Sequence, residues 1–291
     1  LILLSKDGNH QASEYRVLYL SKPIFNDDVE ALKIYGKQCD YIKFPRMLMF
    51  PILKHFLPYA NELNDANYYP KTKNDPSVLR LRSFWLSELP FIKKKLNFDA
   101  ILSGNFVYIN QQEFFIAAKK IQIPTFILYK EGMFPIDRSE DVIDIFYKTK
   151  QFNADKIFFY NENIKKTLLA SNLPGLDESK TSVVGVPRLD HSIRNKITQC
   201  RDNKVLLFLF APKVKSQYLF DDSENIDEFE KKLSIFQQNF LDLAIKHPQI
   251  DLIIKSKSDP VSILFFQSLL KKNQITKLPD NITFTSTKNP S

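Results

Sequence analysis

The stretch "FNADKIFFYNENIKKTLLASNLPGLDESKTSVVGVPRLD", Phe152 to Asp190, decides the fold class. It contains an apolar run, KIFFY at 156–160, then an amphipathic segment that begins at the capping residue Asn161. A second short apolar run, SVVG at 182–185, follows. Continuous apolar runs on either side of a helix are typical of parallel strands that helices cover. The stretch therefore predicts a β-α-β unit.

The same alternation of short β-rich runs and longer helical patterns continues through the chain. Nine runs are predicted as strands: 16–20, 41–44, 100–104, 125–129, 156–160, 182–185, 204–210, 251–255 and 282–285. After the first of them, an acidic first turn predicts a helix from Asp27 to a C-cap at Gly36. Strand-helix alternation indicates parallel sheets with right-handed crossovers.

A polar stretch, NKITQCRDN at 195–203, separates two sets of strands. The predicted fold class is therefore α/β, with two Rossmann-like domains of parallel strands. We expect an N-terminal domain at 1–194, a linker at 195–203 and a second domain at 204–291 that is truncated. The chain begins with Leu1 and ends in STKNPS, so we expect a fragment.

Composition and motifs exclude several classes of protein. The 291 residues are 44% hydrophobic and 25% charged, which is typical of a globular protein. The net charge is +8, but the lysines are scattered among acids, so we expect no nucleic-acid partner. The two cysteines and four histidines lack metal-binding spacing, and neither GxGxxG nor a P-loop occurs. We expect no metal and no cofactor.

Polar residues follow several predicted strands directly. In parallel α/β sheets, ligands bind outside the carboxyl ends of the strands. Asn105 follows the run AILSG, and Lys130, Glu131 and Gly132 follow TFILY. These four residues are candidates for substrate binding or catalysis. Two alternatives stay open: Asn105 as the N-cap of a helix near Asn110, and Lys130 with Glu131 as a solvent-exposed pair.

Three more cations follow later strands. Arg188 lies in the turn GVPRLD, where its guanidinium can pair with phosphate oxygens or with Asp190. Lys213 follows the run KVLLFLF, and Lys255 ends the run DLIIK. A separate stretch, FPRMLMFPILKHFLPYANELN at 44–64, predicts either a core helix interrupted by Pro51 or a surface for a membrane or lipid-linked acceptor.

Two tandem Rossmann-like domains and the turn from Gly185 to Asp190 resemble the GT-B glycosyltransferases, in particular bacterial enzymes of capsule and lipopolysaccharide biosynthesis. The resemblance spans roughly residue 15 to the end. It implies metal-independent transfer of a sugar from a nucleotide-activated donor to a surface-glycan acceptor. In this plan Glu131 acts as base or acceptor ligand, and Lys213 and Lys255 offset the charge of the nucleotide leaving group.

The resemblance also implies the partners and the location. We expect a nucleotide sugar as donor substrate and a glycan or lipid-linked acceptor. We expect a cytoplasmic protein that can associate with the inner face of the membrane. Three alternatives remain: a sugar-nucleotide epimerase of the same two-domain plan, a glycerophosphotransferase of teichoic-acid type, and a two-domain binding protein that is not an enzyme.

Overall fold

The computed structural model describes residues 13–36, 38–65, 67–131, 147, 149–194, 204–209, 223–256, 267–277 and 279–285. The chain divides into two compact units, Leu1–Lys196 and Ile197–Ser291. The predicted linker at 195–203 lies outside the described residues. In the part of the chain described here, no helix is long and apolar enough to cross a membrane.

The first unit contains a six-stranded parallel sheet. Its strands are β1 (Tyr15–Ser21), β2 (Cys39–Pro45), β3 (Ala100–Ser103), β4 (Thr125–Tyr129), β5 (Lys156–Phe159) and β6 (Thr181–Val183). Their order is β2-β1-β3-β4-β5-β6, and every neighbouring pair is parallel. The order reverses direction at β1 and β3, which makes the gap beyond their carboxyl ends a topological switch point.

Helices connect these strands. They are α1 (Pro23–Tyr35), α2 (Met49–Phe56), α3 (Tyr68–Thr72), α4 (Pro76–Leu96), α5 (Gln112–Lys120), α6 (Glu162–Ala170) and α7 (Pro187–Arg194). Capping follows the sequence closely: the side chain of Asn161 accepts from the backbone N–H of Ile164 at the start of α6, as predicted. The first helix begins at Pro23, four residues before the predicted start at Asp27.

The sheet is buried on both faces, because successive side chains of β1 alternate between two apolar clusters. Leu18 and Leu20 pack into the larger cluster with residues of α4 and α5 such as Trp85. Val17 and Tyr19 pack on the opposite face. Burial on both faces explains why the strands read as continuous apolar runs.

The stretch after β2 forms a helix, and Pro51 does not interrupt it. Helix α2 begins at Met49, which places Pro51 in the first turn, where a missing N–H costs no intrahelical hydrogen bond. Met49 and Leu53 are buried, as a core helix requires. Met47, just before the helix, is 72% exposed. The predicted interruption was wrong because the position of the helix start determines whether proline is tolerated.

The second unit contains a three-stranded parallel sheet in the order β7-β8-β9. Its described elements are β7 (Lys204–Leu209), α8 (Ser223–Lys246), β8 (Asp251–Ser256), a helix at 267–272 and β9 (Ile282–Thr285). Leu241 of α8 packs on Leu252 and Ile254 of β8 in a separate core. Each of the nine predicted strands is present, and its ends lie within two residues of the prediction.

Candidate functional site

Four neighbouring strands of the first sheet end at the same edge, and polar side chains follow each of them. Lys22 follows β1, and Arg46 follows β2. Asn105 lies two residues after β3, and Lys130 directly follows β4. Together with two further residues that contact them, they form what we call the strand-end cluster: Lys22, Arg46, Asn105, Tyr108, Lys130 and Glu131.

Glu131 is the hydrogen-bond acceptor at the centre of this cluster. Its Oε1 accepts from Nδ2 of Asn105 at 3.2 Å and from the hydroxyl of Tyr108 at 3.2 Å. Nζ of Lys130 donates to the same oxygen. The side chain of Lys130 is only 6% exposed, whereas that of Glu131 is 40% exposed. Of the solvent-exposed pair that the sequence left open, Lys130 is therefore buried and only Glu131 reaches solvent.

These contacts keep Glu131 ionised. Burial raises the pKa of the Glu131 carboxyl, but the hydrogen bond and charge of Lys130, together with Asn105 and Lys22, outweigh it. The resulting pKa lies below the ordinary value for glutamate. All three hydrogen bonds fall on Oε1, and Oε2 makes none to the described residues. Three donors thus orient a carboxylate that is still 40% exposed.

Tyr108 connects the carboxylate to two of the cations. Nζ of Lys22 donates to the Tyr108 hydroxyl and lies 4.3 Å from the ring centroid. The guanidinium carbon of Arg46 lies 4.2 Å from the same centroid. The side-chain amide of Gln112 donates to the backbone carbonyl of Tyr108 at 3.1 Å, which holds this loop in place.

Lys22 has an unusual electrostatic environment. Partial burial lowers the pKa of Lys22, the charges of Lys130 and Arg46 lower it further, and Glu131 opposes the change. The pKa falls to about 8. This amine therefore changes its charge near physiological pH, which an ordinary surface lysine does not do.

The position of Asn105 depends on close packing under the site. Its Oδ1 accepts from the backbone N–H of Val107 at 2.9 Å, and Oγ of Ser103 donates to its carbonyl at 3.0 Å. A Cβ on Gly104 would lie 2.7 Å from the ring of Phe25, so the chain needs glycine there. Asn105 caps no helix, because α5 begins only at Gln112. Its alternative interpretation as an N-cap was wrong.

Arg188 is bound to a carboxylate that is not part of this cluster. Its Nη1 donates to Oδ2 of Asp28 at 2.8 Å, and Tyr160 donates to the same oxygen. The ion-pair partner is therefore Asp28 of α1 and not Asp190, which the sequence had suggested. Its predicted role in phosphate binding stays a prediction.

For three predicted residues, Gly132, Lys213 and Lys255, no side-chain contact is described. Gly132 and Lys213 lie outside the described residues. Lys255 lies in β8, paired in register with Phe208 and Thr285, and its side chain is not described. Within the described ranges, no three His, Cys, Asp or Glu side chains are grouped to hold a metal ion.

Sequence reasoning missed Lys22, Arg46 and Tyr108. A signal existed for the first two, because each lies two residues after the end of a predicted strand, much as Lys130 directly follows one. Tyr108 carries no such signal, since it lies in a loop whose side-chain directions follow no period.

No protein-family model and no curated protein matches the sequence. Solved structures do match the fold. A putative UDP-N-acetylglucosamine 2-epimerase from Listeria monocytogenes matches with a TM-score of 0.52 at 12% identity, over 95% of this chain and 70% of that chain. The UDP-GlcNAc 2-epimerase from Neisseria meningitidis matches with a TM-score of 0.48 at 14% identity, over 94% and 72%. MurG from Acinetobacter baumannii matches with a TM-score of 0.38 at 12% identity, over 93% and 67%.

The parallel sheets of the two units and the structural match of highest TM-score among these three agree on the fold. The chain has an α/β fold of the GT-B type, with two Rossmann-like units. This confirms the predicted fold class.

Proposed function

We propose that this protein is a glycosyltransferase that moves a sugar from a nucleotide-activated donor to a hydroxyl of a glycan acceptor. The observation that carries the proposal is the arrangement of Glu131 at the carboxyl edge of the sheet. Three donors hold Oε1, and the side chain of Glu131 is 40% exposed, so a ligand can reach the carboxylate. Ligands of parallel α/β sheets bind at this edge.

The chemistry that this arrangement suits is direct displacement. The acceptor oxygen forms a bond to the anomeric carbon of the donor sugar, and the bond from that carbon to the phosphate oxygen of the nucleotide, a diphosphate or a monophosphate, breaks. The acceptor hydroxyl loses its proton as the new bond forms, and Glu131 accepts it. A pKa below the ordinary glutamate value keeps Glu131 ionised at neutral pH, so it orients the hydroxyl before the proton becomes acidic.

In this proposal, residues other than Glu131 bind the nucleotide-activated donor sugar. Lys213 and Lys255 of the second unit offset the negative charge of the departing nucleotide. Arg188 still has N–H groups besides those that bond Asp28, and these suit a phosphate. Lys130, Asn105 and the backbone at Gly132 contact the acceptor. The proposed acceptor is a bacterial surface glycan of capsule or lipopolysaccharide type, free or lipid-linked, and the enzyme works in the cytoplasm, at the inner membrane face for a lipid-linked acceptor.

A sugar-nucleotide epimerase is the second candidate. Epimerisation removes a proton from carbon and returns one to the opposite face, which calls for two groups that exchange protons near neutral pH. Lys22, with a pKa of about 8, is the observation that favours it, because this amine lies one tyrosine hydroxyl away from Glu131. The neighbour of TM-score 0.52 carries the name of such an enzyme.

Turnover separates the two candidates. The full chain is first tested for thermal stabilisation by UDP, CDP, GDP and CMP, with UDP first because the neighbours' names refer to UDP sugars. A nucleotide at a hundred times its Kd stabilises the fold by about 2.7 kcal/mol. The matching nucleotide sugar is then incubated with and without glycan acceptors. Nucleotide release that requires an acceptor supports transfer, and isomerisation of the nucleotide sugar alone supports the epimerase.

The role of Glu131 is tested in the same assay with Glu131→Gln. We expect turnover to fall about 100-fold or more with nucleotide binding kept, since proton transfer contributes roughly 10²–10⁴-fold. The matched control is Glu178→Gln, whose carboxylate is 70% exposed in the turn before β6, at the opposite edge of the sheet. Full activity of Glu131→Gln, or failure of all four nucleotides to bind, contradicts the proposal.

A further inference from the structure

We propose that Lys22, Arg46 and Lys130 form a subsite for an anionic group, a phosphate or a carboxylate, carried by the acceptor substrate. This inference rests on the proposed function, because it concerns the molecule whose hydroxyl reaches Glu131. It identifies the acceptor by its chemistry, as a sugar acid or a sugar phosphate. Neither Lys22 nor Arg46 figures among the residues that the sequence predicts for the site.

The three cations follow three strands that end at the same edge of the sheet, and Tyr108 and Glu131 connect them. Lys22 and Arg46 both lie over the ring of Tyr108, at 4.3 and 4.2 Å from its centroid. Nζ of Lys130 and the Tyr108 hydroxyl both bond Oε1 of Glu131, which brings Lys130 to the same ring system. The strands β2, β1, β3 and β4 are sheet neighbours, so this arrangement follows from the topology.

The charges of the described residues in this region do not balance. The backbone N–H of Ile109 donates to the carboxylate of Asp65. The positive charges of Lys150, Arg46 and Lys22 each favour the ionised form of this carboxylate. Lys150 is itself only 4% exposed, and Asp65 is the charge that opposes the lowering of its pKa.

Among the described residues that act on one another here, four cations therefore meet two carboxylates. Lys22, Arg46, Lys130 and Lys150 carry four positive charges, and Asp65 and Glu131 carry two negative ones. Partly buried charges are normally paired. An anionic group offsets this excess of positive charge among the described residues.

Repulsion between these cations changes the pKa of Lys22. The charges of Lys130 and Arg46 both lower the pKa of Lys22, although Glu131 lies nearby. A bound anion reverses this effect, because it favours the charged form of the amine. A guanidinium and two ammonium groups offer the donors that phosphate and carboxylate oxygens prefer.

The position of the cluster relative to Glu131 assigns the anion to the acceptor. Lys130 is the residue next to Glu131 and bonds its carboxylate, so an anion held by Lys130 lies beside the acceptor hydroxyl. All three cations belong to the first unit, whereas the proposed donor residues Lys213 and Lys255 belong to the second.

The test measures binding of glucose 6-phosphate, glucuronate and uncharged methyl glucoside to the full chain by calorimetry, with and without saturating UDP. We expect the two anionic sugars to bind and methyl glucoside to bind at least 10-fold more weakly. We expect Lys22→Met and Arg46→Gln each to weaken binding of the anionic sugars by about 10–100-fold, the effect of losing one charge-assisted hydrogen bond. Lys22→Arg keeps the charge and should keep most of the affinity.

The matched control is Lys94→Met, because this exposed lysine lies in the last turn of α4, before β3, at the opposite edge of the sheet. Equal binding of charged and uncharged sugars overturns the proposal, as does equal weakening by Lys94→Met. Displacement of glucose 6-phosphate by UDP also overturns it, since the anion then belongs to the donor. Binding of a nucleotide without binding of any anionic sugar overturns this inference alone, whereas failure of UDP, CDP, GDP and CMP all to bind tells against the proposed function.

Discussion

Arg188 and Asp28 form an ion pair between the last helix of the first unit and its first helix, 160 residues apart along the chain. Nη1 of Arg188 lies 2.8 Å from Oδ2 of Asp28, and the backbone N–H of Arg188 donates to Oδ1 at 3.2 Å. Asp28 is fully buried, whereas the side chain of Arg188 is 31% exposed. The pair therefore fixes α7 on α1 through a carboxylate that cannot reach water.

This difference in burial predicts an asymmetry between the two partners. Arg188→Met leaves a buried carboxylate uncompensated, so we expect a loss of about 3 kcal/mol in the free energy of unfolding. Asp28→Asn leaves a guanidinium that can turn to water, so we expect about 1 kcal/mol. Urea denaturation of both variants checks the order. Equal losses, or a larger loss for Asp28→Asn, contradict this account of the pair.

Gly104 permits the close contact between β3 and α1 beneath the site. A Cβ there meets Cγ of Phe25 at 2.7 Å, and Phe25 is fully buried. We expect Gly104→Ala to cost about 1–3 kcal/mol in the free energy of unfolding through overpacking.

The control is a double-mutant cycle with Phe25→Ala, measured by urea denaturation. In that background the clash is gone, so Gly104→Ala should cost less than about 0.5 kcal/mol. A similar cost in both backgrounds shows that the ring of Phe25 is not the reason for the glycine.

The strands and the fold class could be predicted from the local sequence pattern. Burial on both faces gives each strand a continuous apolar run, which is short and alternates with longer helical patterns. The start of α1 did not follow. An acidic turn at Asp27 predicted it, but Pro23 begins it, since proline at the first helical position needs no N–H partner. The earlier start matters for the site, because it places Lys22 between the end of β1 and the helix.

Site residues could be predicted from the sequence only where they come directly after a predicted strand. Asn105 and Glu131 meet in the structure at 3.2 Å, as neighbouring strand ends predict. Tyr108, which joins Lys22 to Glu131, lies in a loop with no periodicity. Contacts of this kind depend on side-chain directions in irregular backbone and on long-range packing. Spacing in the sequence specifies neither.

The substitution Tyr108→Phe distinguishes the contribution of the Tyr108 hydroxyl from that of its ring. The variant keeps the ring that Lys22 and Arg46 cover, but it removes the acceptor of the Lys22 ammonium and one donor to Glu131. Under the proposed function we expect kcat to fall about 10-fold, the effect of one hydrogen bond to a charged group. We expect the free energy of unfolding to change by less than about 1 kcal/mol.

Steady-state kinetics and urea denaturation check both expectations for Tyr108→Phe. The control is Tyr15→Phe, whose ring is 49% exposed at the start of β1, at the opposite edge of the sheet. A loss of activity that merely follows a loss of folded protein is evidence against a role for the hydroxyl at Glu131.

Lys22 predicts a pH dependence of stability with a definite sign. Its pKa is about 8 in the folded protein and about 10.5 in the unfolded chain, so between these values the unfolded state binds more protons. The free energy of unfolding that Lys22 contributes therefore rises as pH increases from about 8 to about 10.5, by about 1 kcal/mol after solvent screening. Among the described residues, Lys22 interacts with the charged side chains of Arg46, Asp65, Lys130 and Glu131 and with the hydroxyl of Tyr108. Urea denaturation of the wild type and of Lys22→Met at pH 7 and pH 10 isolates this contribution. We expect Lys22→Met to be more stable than the wild type at pH 7. At pH 10 the difference in the free energy of unfolding should be smaller. The same advantage at both pH values, or the same behaviour in Lys94→Met, shows that the amine of Lys22 is not the group that titrates.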